Sequence, residues 1–203
     1  MSLILYDSEH SVYARRVRLL AAELGLPLER RTLQYFKGEF VTPEYLAKNP
    51  TGRVPTLDDD GFFVWESVAI VKYIASLVPE RGMSPTSPRQ QAVIDQWLFW
   101  FVSHPAGAVT SLAQELLVKP RKGEPGHDPG IVAAAHAQLD RALPVLEKQL
   151  EGHNFILGDL SVVDFVVAPQ IEALPVVKID TAPFPNTNAW VKRMQAKPYW
   201  KTA

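Results

Sequence analysis

Three short stretches could do chemistry if the fold brought them together. They are Ser11, the run Asn49-Pro50-Thr51-Gly52-Arg53-Val54-Pro55, and the acid–hydroxyl pair Glu66-Ser67, eleven residues beyond Pro55. Serine is a preferred helix N-cap, and Ser11 opens a helical pattern without a capping box, because position 14 is Ala. Arg15, Arg16 and Arg18 crowd its first two turns, where each exposed cation opposes the helix dipole by about 0.3–1 kcal/mol. Two readings stand. Ser11 is a plain cap, with the arginines neutralised by Asp7 or Glu9 or turned to solvent. Alternatively an anion, thiolate or carboxylate, is held there by the hydroxyl, the helix end and the guanidinium groups.

The other two stretches are equally two-sided. A trans Val54-Pro55 bond would simply open an edge strand; a cis bond would turn the Val54 N–H and C=O outward to pair with an extended peptide. Glu66-Ser67 is either an ordinary strand-to-helix junction with a Ser N-cap, or a device in which Glu66 meets an α-amino group and Ser67 with the helix N-terminus holds an α-carboxylate. Taken in order, the three stretches describe a cradle for a small peptide with a free carboxylate. Ser11 would act there as a hydrogen-bond donor and not as a nucleophile, since no adjacent His-Asp pair is present to activate it.

Composition narrows the chemistry. The 203 residues carry no cysteine, which removes disulfides, thiolate zinc sites and a protein thiol nucleophile, so any sulfur chemistry must use sulfur from a ligand. The five histidines show no ligand spacing, and no metal site is expected. A net charge of -1 argues against general nucleic-acid or anionic-membrane binding. No apolar run reaches membrane-spanning length, and the start, Met-Ser-Leu-Ile-Leu-Tyr, lacks the basic segment and cleavage site of a secretory signal. These features point to the cytosol.

The elements that must position the three stretches follow from periodicity. Residues 2–6 read as a strand, Ser11 to Leu24 as a helix with Val17, Leu20, Ala21 and Leu24 on one face, 28–33 as a second strand, and Thr42 to Lys48 as a short helix. Val54–Leu57 and Phe62–Trp65 flank Asp58-Asp59-Asp60-Gly61, a hairpin signal. Ser67 opens a helix with Ile70, Val71, Ile74 and Val78 on one face. The order is βαβ, a short helix, then ββα, a small mixed sheet covered by helices. A Pro/Ser/Gly-rich linker at 80–89 separates this first domain, 1–79, from an all-helical one, 90–203. Helical patterns there cover 90–117, bent at Pro105, then 131–151, 161–174 and 187–196, with a polar loop at 120–130. Ser161-Val162-Val163-Asp164 is a capping box, with Leu160 and Phe165 placed for a hydrophobic staple; its role is structural.

Over nearly its whole length the chain resembles a cytosolic glutathione S-transferase. The likeness runs from Leu5-Tyr6 through Ser11-Val12-Tyr13-Ala14-Arg15-Arg16-Val17, Asn49 to Pro55 and Glu66-Ser67-Val68-Ala69-Ile70, to Ser161-Val162-Val163-Asp164 and Lys197-Pro198-Tyr199-Trp200. The Ser-x-x-x-x-Arg-Val spacing, and the segment from Ser103-His104-Pro105 to Lys119-Pro120, are most similar to the serine-type phi class. The resemblance implies an α/β thioredoxin-like N-terminal domain, an all-α C-terminal domain, a homodimer, glutathione as co-substrate without a metal, and a role in detoxification. It gives Ser11 the task of donating a hydrogen bond to the glutathione thiolate. Val54 would pair by its backbone with the cysteinyl residue, Pro55 would be the cis proline, and Glu66 and Ser67 would hold the γ-glutamyl end.

Arg53 occupies the position facing the glycyl or cysteinyl part. The His-Lys pair that phi enzymes often place ahead of this motif is replaced by Phe40 and Val41, which leaves Lys37 or Arg53 for the glycyl carboxylate unless glutathione binds more weakly; Lys37 also reads as a solvated loop charge. An electrophile pocket between the domains would draw on Val12, Tyr13, Phe36, Phe101, His104 and Leu112. Two alternatives to conjugation of apolar electrophiles are glutathione-dependent peroxidase, dehalogenase or isomerase activity, and a non-catalytic binding module of the same fold. The absence of cysteine argues against the family's disulfide and dehydroascorbate reductase work, and departs from the Ser-Ser-Cys signature of the maleylacetoacetate isomerase branch.

Overall fold

The computed structural model describes residues 2–34, 37–124 and 126–203. They fall into two compact units, 1–84 with 198–203, and 85–197. The last six residues therefore group with the first unit, whereas the sequence pattern assigns them to the helical domain.

The first unit is built on a four-stranded sheet in the order β2-β1-β3-β4. Strand β1 (Leu3–Asp7) pairs in parallel with β2 (Leu28–Thr32) and antiparallel with β3 (Thr56–Asp59), which pairs antiparallel with β4 (Phe62–Trp65). The parallel pair needs a crossover, and helix α1 (Val12–Leu24) supplies it. Alternation along β1 buries Leu3 and Leu5. Helices α1 and α3 (Ser67–Ser76) pack on each other, and Val17, Leu20 and Ala21 of α1 and Ile70, Val71 and Ile74 of α3 are buried with them. Helix α2 (Pro43–Leu46) is capped by Thr42, whose hydroxyl accepts the Tyr45 N–H at 3.2 Å.

Three details differ from the sequence pattern. Strand β3 starts at Thr56 and runs through Asp58 and Asp59, so the hairpin turn is only Asp60-Gly61, both at positive φ (50° and 91°). That is the two-residue turn whose twist suits a hairpin. Helix α3 stops at Ser76, leaving Val78 outside it. Ser67 is its first helical residue, and Glu66 stands in the cap position without a capping hydrogen bond.

The second unit is helical: α4 (Pro88–Ser103), α5 (Pro105–Ala113), a π turn (Gln114–Val118), α6 (Lys119–Arg121), α7 (Pro129–Gln149), α8 (Val162–Ile171) and α9 (Pro185–Gln195). Pro105 breaks the long first helix at His104. Every residue of α8 is buried, the polar Asp164 and Gln170 included, as a helix apolar on all its other positions requires. The capping box at its start is formed: Asp164 accepts from the Ser161 N–H and hydroxyl (2.9 and 3.0 Å), and also from the Ile156 N–H and Trp190 Nε1–H (3.0 and 2.9 Å). Glu147 of α7 caps α9, accepting from the N–H groups of Asn186 and Thr187 at 2.9 Å each. Among the described residues no helix is long and apolar enough to cross a membrane, and no group of three or more potential ligands could hold a metal ion.

Candidate functional site

Ser11 precedes α1 in extended conformation, and its Oγ accepts the Ala14 N–H at 3.1 Å. A serine hydroxyl has one proton and two lone pairs. Spending a lone pair on the cap leaves the proton available to a ligand, so the cap and donor readings are compatible in one side chain. The arginines behind it are engaged elsewhere. Arg15 donates to the Trp200 carbonyl (3.0 Å) and stacks over that indole, its Cζ 5.0 Å from the ring centre. Arg18 pairs with the fully buried Asp7 at 2.6 Å, a carboxylate it shares with Arg30 at 2.9 Å. Arg16 crosses to α3 and donates from Nη1 to Ser67 Oγ at 3.0 Å. The reading in which these guanidinium groups gather round an anion at the start of α1 is thereby corrected: the charge available there is that of the helix end and the Ser11 hydroxyl.

The Asn49–Pro55 turn is tied down from within. Buried Asn49 donates from Nδ2 to the Arg53 carbonyl (2.8 Å) and to Thr56 Oγ1 (2.9 Å), while its Oδ1 accepts the Thr51 N–H and hydroxyl (3.0 and 2.7 Å). The Tyr45 hydroxyl adds a second bond to the Arg53 carbonyl at 2.6 Å. That carbonyl can only accept, so Tyr45 donates to it and takes the Thr56 hydroxyl proton at 2.8 Å. Gly52 completes the turn at φ 60°, where a Cβ would lie 3.1 Å from the Phe40 carbonyl oxygen; both the backbone angle and the space require glycine. The Val54-Pro55 bond is cis. Among the described residues, neither the N–H nor the C=O of Val54 has a hydrogen-bond partner, although such groups are normally paired when buried. An extended peptide could take both.

At the start of α3, Glu66 holds φ 72° and ψ 113°. A non-glycine residue there is strained by about 1–3 kcal/mol, and such strain concentrates at ligand sites. The Glu66 side chain is exposed and Ser67 is buried. Burial lowers the Arg16 guanidinium to about 10, opposed by Tyr13 and Glu66, so it remains a cation at neutral pH. Positive charge, a hydroxyl and a helix N-terminus thus meet at one junction, with a carboxylate beside them.

Two glutathione S-transferase domain families match the chain, the N-terminal domain over residues 5–82 and the C-terminal domain over residues 108–198. A Hypomyces subiculosus glutathione S-transferase, hmp2, is 32% identical over 98% of this chain and 96% of its own. The probable glutathione S-transferase GSTF2 of Oryza sativa subsp. japonica is 30% identical over 96% and 92%. The Bombyx mori glutathione transferase BmGSTD1 superposes with a TM-score of 0.85 at 30% identity, over 96% of this chain and 88% of its own. The chain belongs to the glutathione S-transferase family.

The remaining expected site residues of this glutathione transferase are scattered in role. Lys37 and Arg53 are exposed, and neither side chain has an ion-pair partner among the described residues. Phe40 is buried edge-on against Tyr45, ring centres 6.3 Å apart, while Val41 is exposed. Val12 and Tyr13 are half-buried at the start of α1. In the helical unit Phe101 and Leu112 are fully buried, and packing accounts for them. His104 is exposed and lines a cleft of about 300 Å³ with Trp100, Gln138, Arg141 and Ala142. Phe36 lies outside the described residues. Sequence reasoning missed the Arg16–Ser67 bond, which spans 51 positions and leaves no local trace. It also missed the Asn49 clamp, for which Asn before Pro-Thr-Gly is a signal of side-chain-to-backbone bonding.

Proposed function

We propose that the protein binds glutathione in the first unit and conjugates its thiolate to apolar electrophiles, as a serine-type transferase. The observation that carries this is the Ser11 hydroxyl, fixed by the Ala14 N–H at 3.1 Å with its proton free to donate. Val54 offers an unspent N–H and C=O to the cysteinyl residue, Glu66 meets the α-amino group, and Ser67 with the first N–H groups of α3 holds the α-carboxylate. Lys37 and Arg53, exposed and without an ion-pair partner among the described residues, serve the glycyl carboxylate in place of Phe40 and Val41.

The magnitudes are of the right size. A free thiol with a pKa near 8.5 is a few per cent thiolate at neutral pH. Lowering it by about two units requires roughly 2.7 kcal/mol, and one hydrogen bond to a charged group contributes about 1.5–3 kcal/mol. With an aryl halide, the thiol proton leaves to solvent, the sulfur lone pair forms the C–S bond, and halide departs with its bonding pair. Val12 and Tyr13, next to Ser11, are the contacts we assign to the electrophile. Fungal, plant and insect relatives match at 30–32% identity, so the serine chemistry, more than a phi label, carries the reading.

We also propose a cytosolic homodimer acting in detoxification. Phe62 and Trp65 on β4, and Val93, Phe99 and Val102 on α4, are exposed large apolar residues that a second copy would cover. Thermal unfolding with millimolar reduced glutathione, paired with a chromogenic aryl-halide assay, tests the proposal. A bound ligand raises the midpoint by mass action, and turnover must depend on the thiol. Absence of both effects would leave a non-catalytic module of the same fold.

A further inference from the structure

Removing a guanidinium from water is costly, and replacing a buried charge by a well-packed apolar side chain is often neutral or stabilising. Arg16 is nevertheless an arginine. Its buried side chain runs from α1 to the first residue of α3, with Nη1 3.0 Å from Ser67 Oγ and Cζ 4.9 Å from the centre of the Tyr13 ring. A methionine could fill the space between the helices. What it could not supply is a fixed positive charge under the Glu66-Ser67 junction, where the backbone is held at φ 72°.

We propose that Arg16 is a positioning residue for the α-carboxylate of the γ-glutamyl group. This rests on the glutathione reading above and deepens it, by naming what gives that end of the tripeptide its affinity. The Arg16 N–H occupies a lone pair of Ser67 Oγ, so the hydroxyl rotor cannot aim its proton at Arg16 and aims it at the ligand carboxylate. The same logic governs Ser11, whose Oγ is occupied by the Ala14 N–H. Behind Ser67, the guanidinium adds a permanent charge that attracts the carboxylate. Glu66 immediately precedes Ser67 at the same junction, where the α-amino group arrives. Lysine would keep the charge without the planar fork that reaches Ser67 and lies on Tyr13.

The experiment compares the wild type with Arg16→Met, Arg16→Lys, Ser67→Ala and the double variant Arg16→Met/Ser67→Ala. Glutathione Kd is measured by calorimetry, with steady-state kinetics alongside and circular dichroism to check folding. Arg16→Met is expected to raise Kd tenfold or more, with the larger part of the kinetic loss in KM, and Arg16→Lys to recover part of it. The double variant should be no more than about twofold weaker than Arg16→Met, because Ser67 acts through the orientation Arg16 gives it. Cysteinylglycine, a thiol lacking the γ-glutamyl group, should be turned over with little sensitivity to Arg16→Met.

A folded Arg16→Met with Kd within twofold of wild type overturns the proposal, as does an equal loss with cysteinylglycine. If Arg16→Met does not fold, Arg16→Lys decides: an unchanged Kd overturns the assignment, and a severalfold rise together with a matching Ser67→Ala effect supports it. Wild-type protein that binds no glutathione at all overturns the functional reading itself, a result separable from the others.

Discussion

Replacing Ser11 by Ala removes two things at once, and a second substitution separates them. The first is the cap: Ala14 N–H loses its acceptor at 3.1 Å, a cost of about 1 kcal/mol, or roughly 2–4 °C in Tm for a chain of this size. The second is the donor to the thiolate, worth about 1.5–3 kcal/mol, which corresponds to about one to two pKa units at 1.36 kcal/mol each. The bound thiol should therefore titrate one to two units higher in Ser11→Ala, and at pH 6.5, about where a two-unit lowering puts the wild-type thiol, turnover of an aryl halide should fall about five- to fiftyfold. Ser11→Asp keeps an oxygen for the Ala14 N–H, so its Tm should stay near wild type. It also sets a negative charge beside the sulfur, so its turnover should fall at least as far. The assays are the thiolate absorbance of bound glutathione against pH, the pH profile of kcat/KM, and thermal unfolding. Wild-type turnover and an unshifted profile in Ser11→Ala would refute the donor role. Activity that follows the cap, lost in Ala and kept in Asp, would show that the serine acts only on the helix.

Glu66→Gly should relieve the backbone at φ 72° and raise unfolding stability in urea by about 1 kcal/mol, while glutathione affinity drops at least tenfold; a variant that loses stability would contradict the strain argument. Gly52→Ala should cost about 1–2 kcal/mol for the left-handed backbone alone, with more from the 3.1 Å approach to the Phe40 carbonyl, read by urea unfolding. Burial raises the Glu147 carboxyl, but bonds from Thr187 and Asn186 outweigh it and hold the group below its ordinary value. The stability it gives is full above the unfolded carboxylate range near 4.3 and fades as pH falls through the lower folded value. Glu147→Gln should accordingly be less stable than wild type at pH 7, with the gap narrowing below about pH 4; a gap independent of pH would argue against the ionised cap.

How much of this was legible beforehand depends on the range of each interaction. Local patterns were readable: the apolar stripe of α1, the Asp-Gly hairpin, the Ser161–Asp164 box, and the break before Pro105 all follow from neighbours within a few positions. Errors of register arose where a polar run hides a strand, as at Asp58 and Asp59, which extend β3 because they lie opposite Ile4 and Leu3 of β1. Site residues were assigned through the order of motifs. What each arginine does was not, since Arg15, Arg16 and Arg18 look alike in sequence and find partners 185, 51 and 11 positions away. Nor does any periodicity mark residues 198–203 as part of the first unit.

That placement has a consequence for how the molecule is made. Translation delivers the β-sheet and its helices early, and a domain usually folds once it clears the ribosome. Here the indole and carbonyl that receive Arg15 belong to Trp200, and the phenol that bonds to Glu23 belongs to Tyr199. The nascent first unit must wait for more than a hundred further codons before these contacts close, so a truncated product ending at Ser84 would carry an unfinished α1 surface into the cell.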